Sequence, residues 1–123
     1  MRLILTTITA LLFTISLGSA DYAAGKAAYD AGDYETARTE LLPLAESGDA
    51  ESQYLMGQMV HVTKEDRTNL NEAIKWYSLA AEQNHIKAQF HLARMFSLKK
   101  PVSEFAPQAV KWAYISKVNG FKR

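Results

Sequence analysis

Residues 69–89 read NLNEAIKWYSLAAEQNHIKAQ, and this stretch decides the fold. It opens on a helix-start signal. Asn69 can satisfy the orphan N–H groups of a first turn, and Glu72, three residues on, suits a capping-box carboxylate. Ala73, Trp76, Tyr77, Ala80 and Ala81 follow at i, i+3, i+4, i+7 and i+8, an apolar stripe along one helical face. Small residues alternate with aromatic ones, so a second helix can approach over the alanines while the rings fill the space beside them. Asn84 is placed to close the helix in the left-handed region, and a second helix opens within a few residues. The stretch is a helix–turn–helix joint.

The joint recurs at an offset of 36 residues. Ala45-Glu46 aligns with Ala81-Glu82, Gly48 with Asn84, Gln53 with Gln89 and Tyr54 with Phe90. Further on, Ala73 aligns with Ala109, Ile74 with Val110, Lys75-Trp76 with Lys111-Trp112, and Asn84 with Gly120. A pattern kept across two joints at this period is the mark of a helical repeat array. Working outward, the spacing predicts helices over Tyr22 to Ala31 and Tyr34 to Glu46, with Gly32 as stop and Asp33 as cap between them. Pro43 predicts a kink or a broken last turn in the second of these. Ala50 to Val62, Ile86 to Leu98 and Glu104 to Asn119 complete the set, the last with Val110, Trp112, Ala113 and Ile115 as its core stripe and Pro107 in its first turn. No segment alternates with period two, so the expected class is all-α: an α–α superhelix, a short right-handed solenoid of three helical hairpins over residues 21–123.

These residues resemble a known family. Ala73-x-x-Trp76-Tyr77 followed by Ala81-Glu-Gln-Asn-x-x-x-Ala-Gln89 is similar to the Sel-one-like repeat, a relative of the tetratricopeptide repeat. Ala28-Tyr29, Gly32-Asp33-Tyr34 and Pro43-Leu44-Ala45-Glu46 resemble the first unit of many exported bacterial members. The chain departs from the family in three ways. The Gly-x-Gly-Val loop is missing from both Thr63–Thr68 and Lys99–Val102, Gly57 is Ala93 in the last unit, and Tyr77 is Ala113. The resemblance implies an adaptor or scaffold that holds partners on a helical surface, with the last unit as a cap.

The N-terminus carries an address. Met1-Arg2 is a positive start, Leu3 to Leu17 is uncharged and too short to span a bilayer comfortably, and Gly18-Ser19-Ala20 suits a signal peptidase. The expectation is a signal peptide over residues 1–20 cleaved after Ala20, a periplasmic or secreted product, and no membrane insertion after cleavage. The absence of cysteine excludes both a lipid-anchored lipoprotein and a disulfide scaffold.

Beyond Ala20 the basic and acidic residues balance, which argues against a general nucleic-acid binder. Their distribution does not balance. Residues 21–72 hold four basic and eleven acidic residues (−7), and residues 73–123 hold nine basic and two acidic (+7). Opposite charged ends raise the question of weak head-to-tail self-association.

Catalytic motifs are missing. There is no Gly-x-Ser-x-Gly pentapeptide and no glycine-rich phosphate loop, and Ser47 and Ser52 sit at helix joints where capping explains them. His61, His85 and His91 lack an i, i+4 partner, so no metal and no cofactor is expected, and the imidazoles read as solvated. The Glu65-Asp66 pair falls in a charged loop, and Trp76 and Trp112, on equivalent stripes, read as core. The expectation is therefore no enzyme. What remains is a strip on the first helices of adjoining hairpins: Glu51, Leu55 and Gln58, with their counterparts Lys87, His91 and Arg94. It reads either as a partner-binding face for a peptide or helix of another protein, or as an ordinary solvated surface. The family resemblance also admits an immunity or inhibitor protein against an envelope-targeted toxin enzyme. More remotely it admits a β-lactamase-like hydrolase, although the cysteines of those relatives are missing here.

Overall fold

A computed structural model describes residues 20–63 and 69–121. Residues 1–19, where the expected signal peptide falls, most of the Thr63–Thr68 loop with its Glu65-Asp66 pair, and Lys122-Arg123 lie outside the described residues. Six helices follow one another: α1 Tyr22–Asp30, α2 Tyr34–Glu46, α3 Ala50–Thr63, α4 Leu70–Glu82, α5 Ile86–Leu98 and α6 Val102–Val118. No strand occurs among the described residues. Each helix packs on its sequence neighbours, giving hairpins α1–α2, α3–α4 and α5–α6, and this packing fits an α–α superhelix.

Local chemistry sets the boundaries. Asp21, Asp33 and Asp49 cap α1, α2 and α3 by accepting from Ala23 N, Thr36 N and Ser52 N respectively. Asn69 does not cap α4: its φ and ψ are −102° and 10°, and no side-chain bond forms. Glu72 does not reach back to it either, because it accepts from Arg38 Nη2 of α2 at 3.2 Å. The last turn after Pro43 is not broken, and the placement of Pro107 is corrected. The helix containing Pro43 continues to Glu46, and Pro107 lies in the second turn of α6, because that helix starts at Val102. Removing one donor there has not been enough to stop a helix packed along its length.

The 36-residue period survives as geometry, in every layer of the joint. Gly48, Asn84 and Gly120 all have positive φ (108°, 64° and 94°), the left-handed turn that ends a second helix. Gln53 Nε2 donates to Ala45 O at 3.0 Å, and Gln89 Nε2 to Ala81 O at 3.1 Å. Gln83 donates to Gln53 Oε1, and Asn119 to Gln89 Oε1. His85 stacks on Tyr54 with centroids 4.6 Å apart, and Phe121 on Phe90 at 4.2 Å. Lys75 lies over the Trp76 ring and Lys111 over Trp112. One buried amide thus ties each first helix back to the preceding hairpin, and a second residue locks that amide from the following turn.

Hairpin interiors differ in how closely the helices approach. A Cβ on Gly57 would meet Tyr77 ring carbons at 2.8 Å, and one on Gly25 would meet Leu41 Cγ at 2.6 Å. The missing side chain makes room for the large one opposite, and Tyr77 and Leu41 are fully buried. In the third hairpin the pair is Ala93 with Ala113, so the volume is divided differently. Val110 and Ala113 are not core residues. Both are exposed, Val110 by 68%.

Candidate functional site

Polar and aromatic side chains bridge α3 to α5 and to the turn that precedes it. Glu51 Oε2 accepts from His85 Nε2 at 2.7 Å. The tautomer follows from the other ring nitrogen: His85 Nδ1 accepts from Ala88 N at 3.1 Å, capping α5, so the proton sits on Nε2. Between these residues lies Tyr54, stacked on His85. Gln58 Nε2 donates to the Tyr54 hydroxyl at 2.6 Å and lies 3.1 Å from His91 Nε2.

With Nε2 as acceptor, the His91 proton is on Nδ1, a buried nitrogen that has no hydrogen-bond partner. The imidazole stacks on Tyr77 with centroids 5.4 Å apart. Burial, followed by the nearby Arg94 and His61 charges, pushes the His91 pKa from 6.5 down to about 4. Tyr77 is also an orphan: its hydroxyl has no hydrogen-bond partner, and burial pushes the phenol far above its ordinary range. On α1, Tyr22 and Tyr29 continue the row. Burial raises both phenols, and the Glu51 carboxylate near Tyr22 adds to its shift.

The predicted strip is therefore partly right in position and wrong in detail. Glu51, Gln58, His91 and Arg94 do share the face where α3 meets α5, and Lys87 and Arg94 are exposed. Leu55 is not on it. It is 3% exposed and belongs to the core, because one helical turn beyond Glu51 rotates its position towards the buried side. The two histidines are not solvated surface groups: His85 is a cap and His91 is half-buried. Sequence reading missed Tyr54 and His85 as members of this face. The signal was there in Asn84, because the residue after a left-handed turn stands where the next helix needs its cap.

Little else on the molecule offers chemistry. A cleft of about 530 Å³ lies between the α2–α3 turn and α4, lined by Gly48, Gln53, Trp76, Leu79 and Gln83. Its amides are engaged in the joint described above. Among the described residues no group of three metal-ligating side chains occurs, and no helix is long and apolar enough to cross a membrane. No family model, curated protein or solved structure matches this chain.

Proposed function

We propose that the chain is an exported protein-interaction module of the Sel-one-like kind, a short right-handed solenoid without catalytic activity, which takes a peptide segment or helix of another protein along α1, α3 and α5. The observation that carries this reading is the row of aromatic and polar side chains crossing from hairpin to hairpin. Tyr54, Gln58 and His91 hold one another in place, so the row is ordered before a partner arrives. Glu51 lies at one end of the α3–α5 contact, and exposed Arg94 stands on the same helix as His91 near its other end. Such a row sets the direction of a bound segment through charge.

Export rests on the leader sequence, and one contact supports it. The Asp21 backbone nitrogen donates to Glu40 Oε2 at 2.9 Å. Cleavage after Ala20 would turn that nitrogen into an ammonium group already facing a carboxylate.

The test is affinity capture from the native envelope, repeated with Lys87→Glu plus Arg94→Glu. Both positions are exposed, so the variant should fold as the parent does and lose most of the captured partner. Equal capture by the two proteins would remove this face from consideration. Recovery of one enzyme whose activity the protein suppresses would make the module an inhibitor.

A further inference from the structure

The two ends of the stack differ from its interior in a way that points to a second copy of the same chain. On α4, Tyr77 and Ala81 are covered completely or nearly so; their counterparts on α6, Ala113 and Lys117, are exposed. Beside them stand Val110 and Tyr114, each 68% exposed, and a hollow of about 390 Å³ reaching to Phe90 and Phe121. This is the face that would receive another hairpin. At the other end, Ala24 and Ala27 flank the close-approach Gly25 of α1 and are exposed, although Met56 and Met59, which flank Gly57 in the same way on α3, and Leu92 and Met95, which flank Ala93 on α5, are all buried. One end is bulky and hollow, and the other presents small side chains that admit close approach.

We infer that copies of this chain associate head to tail, the open face of the third hairpin receiving the α1 face of the next copy. The join would continue the one already present twice within the molecule, and the charges match at its centre. Counted from the close-approach glycines, Asp21 precedes Gly25 by four residues as Gln53 precedes Gly57. It stands just before α1, whose first turn its carboxylate caps, whereas Gln53 and Gln89 each reach the preceding hairpin at Ala45 or Ala81. The third hairpin has Lys117 at the Ala81 position. An amide-to-carbonyl contact inside the chain thus becomes a carboxylate facing an ammonium between chains. The −7 and +7 halves of residues 21–123 orient the approach in the same sense. Because the two surfaces are different, the contact does not close on itself and can add further copies. The inference uses the end faces and is independent of the partner-binding face proposed above.

Sedimentation velocity of the chain, as purified from the cells that express it, tests this across a concentration series at low and high salt. The expected result is a sedimentation coefficient that rises with concentration past the dimer and falls back at high salt, where charge steering is screened. Lys117→Glu and Asp21→Lys should each weaken association by about tenfold or more, and mixing the two variants should restore it, since both contacts in the mixture are again opposite in charge. Asp21→Lys also removes the α1 cap, so Ala24→Arg provides a second block on the same face, with the circular dichroism spectrum checked for each. A protein that stays monomeric at low salt, one that saturates as a closed dimer, or one whose association ignores these substitutions would overturn the inference.

Discussion

The second and third hairpins carry the same joint and differ in what covers it. Around Gly57 and Tyr77, the ring fills the space left by the absent side chain, and a further hairpin closes over both. Ala93 and Ala113 instead line a hollow of about 330 Å³, with Ala93 buried and Ala113 exposed. The hydrogen bonds of Gln53 and Gln89 are nearly superposable in kind and length, so they do not separate the two regions. Burial does. Stability in a stacked array comes from neighbours, and a unit with a neighbour on one side only has fewer contacts to lose.

That contrast can be broken experimentally, most forcefully at Tyr77. Tyr77→Ala should cost about 3–5 kcal/mol in chemical denaturation, because a fully buried ring leaves a cavity among rigid neighbours. Ala113→Gly, at the equivalent place, should cost only about 0.5–1 kcal/mol, from helix propensity alone. If the two effects proved similar, the interior and the terminal hairpin would not differ as described. Gly57→Ala comes next, at about 1–3 kcal/mol, since its new carbon must displace a ring that has nowhere to go.

Acid sharpens the comparison through His91, which lies where the two hairpins meet. Above pH 6.5 the imidazole is neutral in both folded and unfolded chains, and its titration contributes nothing. Between 6.5 and about 4 the unfolded chain takes up a proton that the folded chain refuses, so stability falls through this window and levels off below it. After allowing for screening at the exposed edge, the loss is about 2 kcal/mol. Stability of His91→Phe, measured by urea denaturation across the same window, should lack this component. An unchanged pH profile in the variant would place the acid sensitivity elsewhere. Modest effects are expected at the amides of the joint, the smallest at Asn119. Gln53→Ala should lower stability by about 1–2 kcal/mol, and Asn119→Ala, at the exposed end, by about 0.5 kcal/mol or less, both read as shifts in the urea midpoint.

Most of the architecture was legible because helix joints are written in local chemistry. The left-handed positions at Gly48, Asn84 and Gly120, the stripe from Ala73 to Ala81, and the Asp33 cap each follow from one turn of chain. What depends on neighbours was not legible. Val110 and Ala113 have the spacing of core residues but are exposed, because spacing does not say what covers a face. Leu55 belongs to the core and His91 is half-buried because α3 and α5 are packed on several sides, which the spacing along one helix does not show. The site was half readable for the same reason. The exposure of Lys87 and Arg94 follows from their charge, but the bonds linking Glu51 to His85, and Gln58 to Tyr54 and His91, exist only once α3 and α5 are side by side.

The claim beneath all of this is that repeated units are tuned by what their neighbours leave room for, and a double-mutant cycle at Gly57 and Tyr77 reaches it most directly. In the parent protein Gly57→Ala should destabilise by about 1–3 kcal/mol; in a Tyr77→Ala background, which copies the third hairpin's pair into the second, the same change should stabilise by about 0.5–1 kcal/mol through helix propensity. An equal cost in both backgrounds would contradict the account.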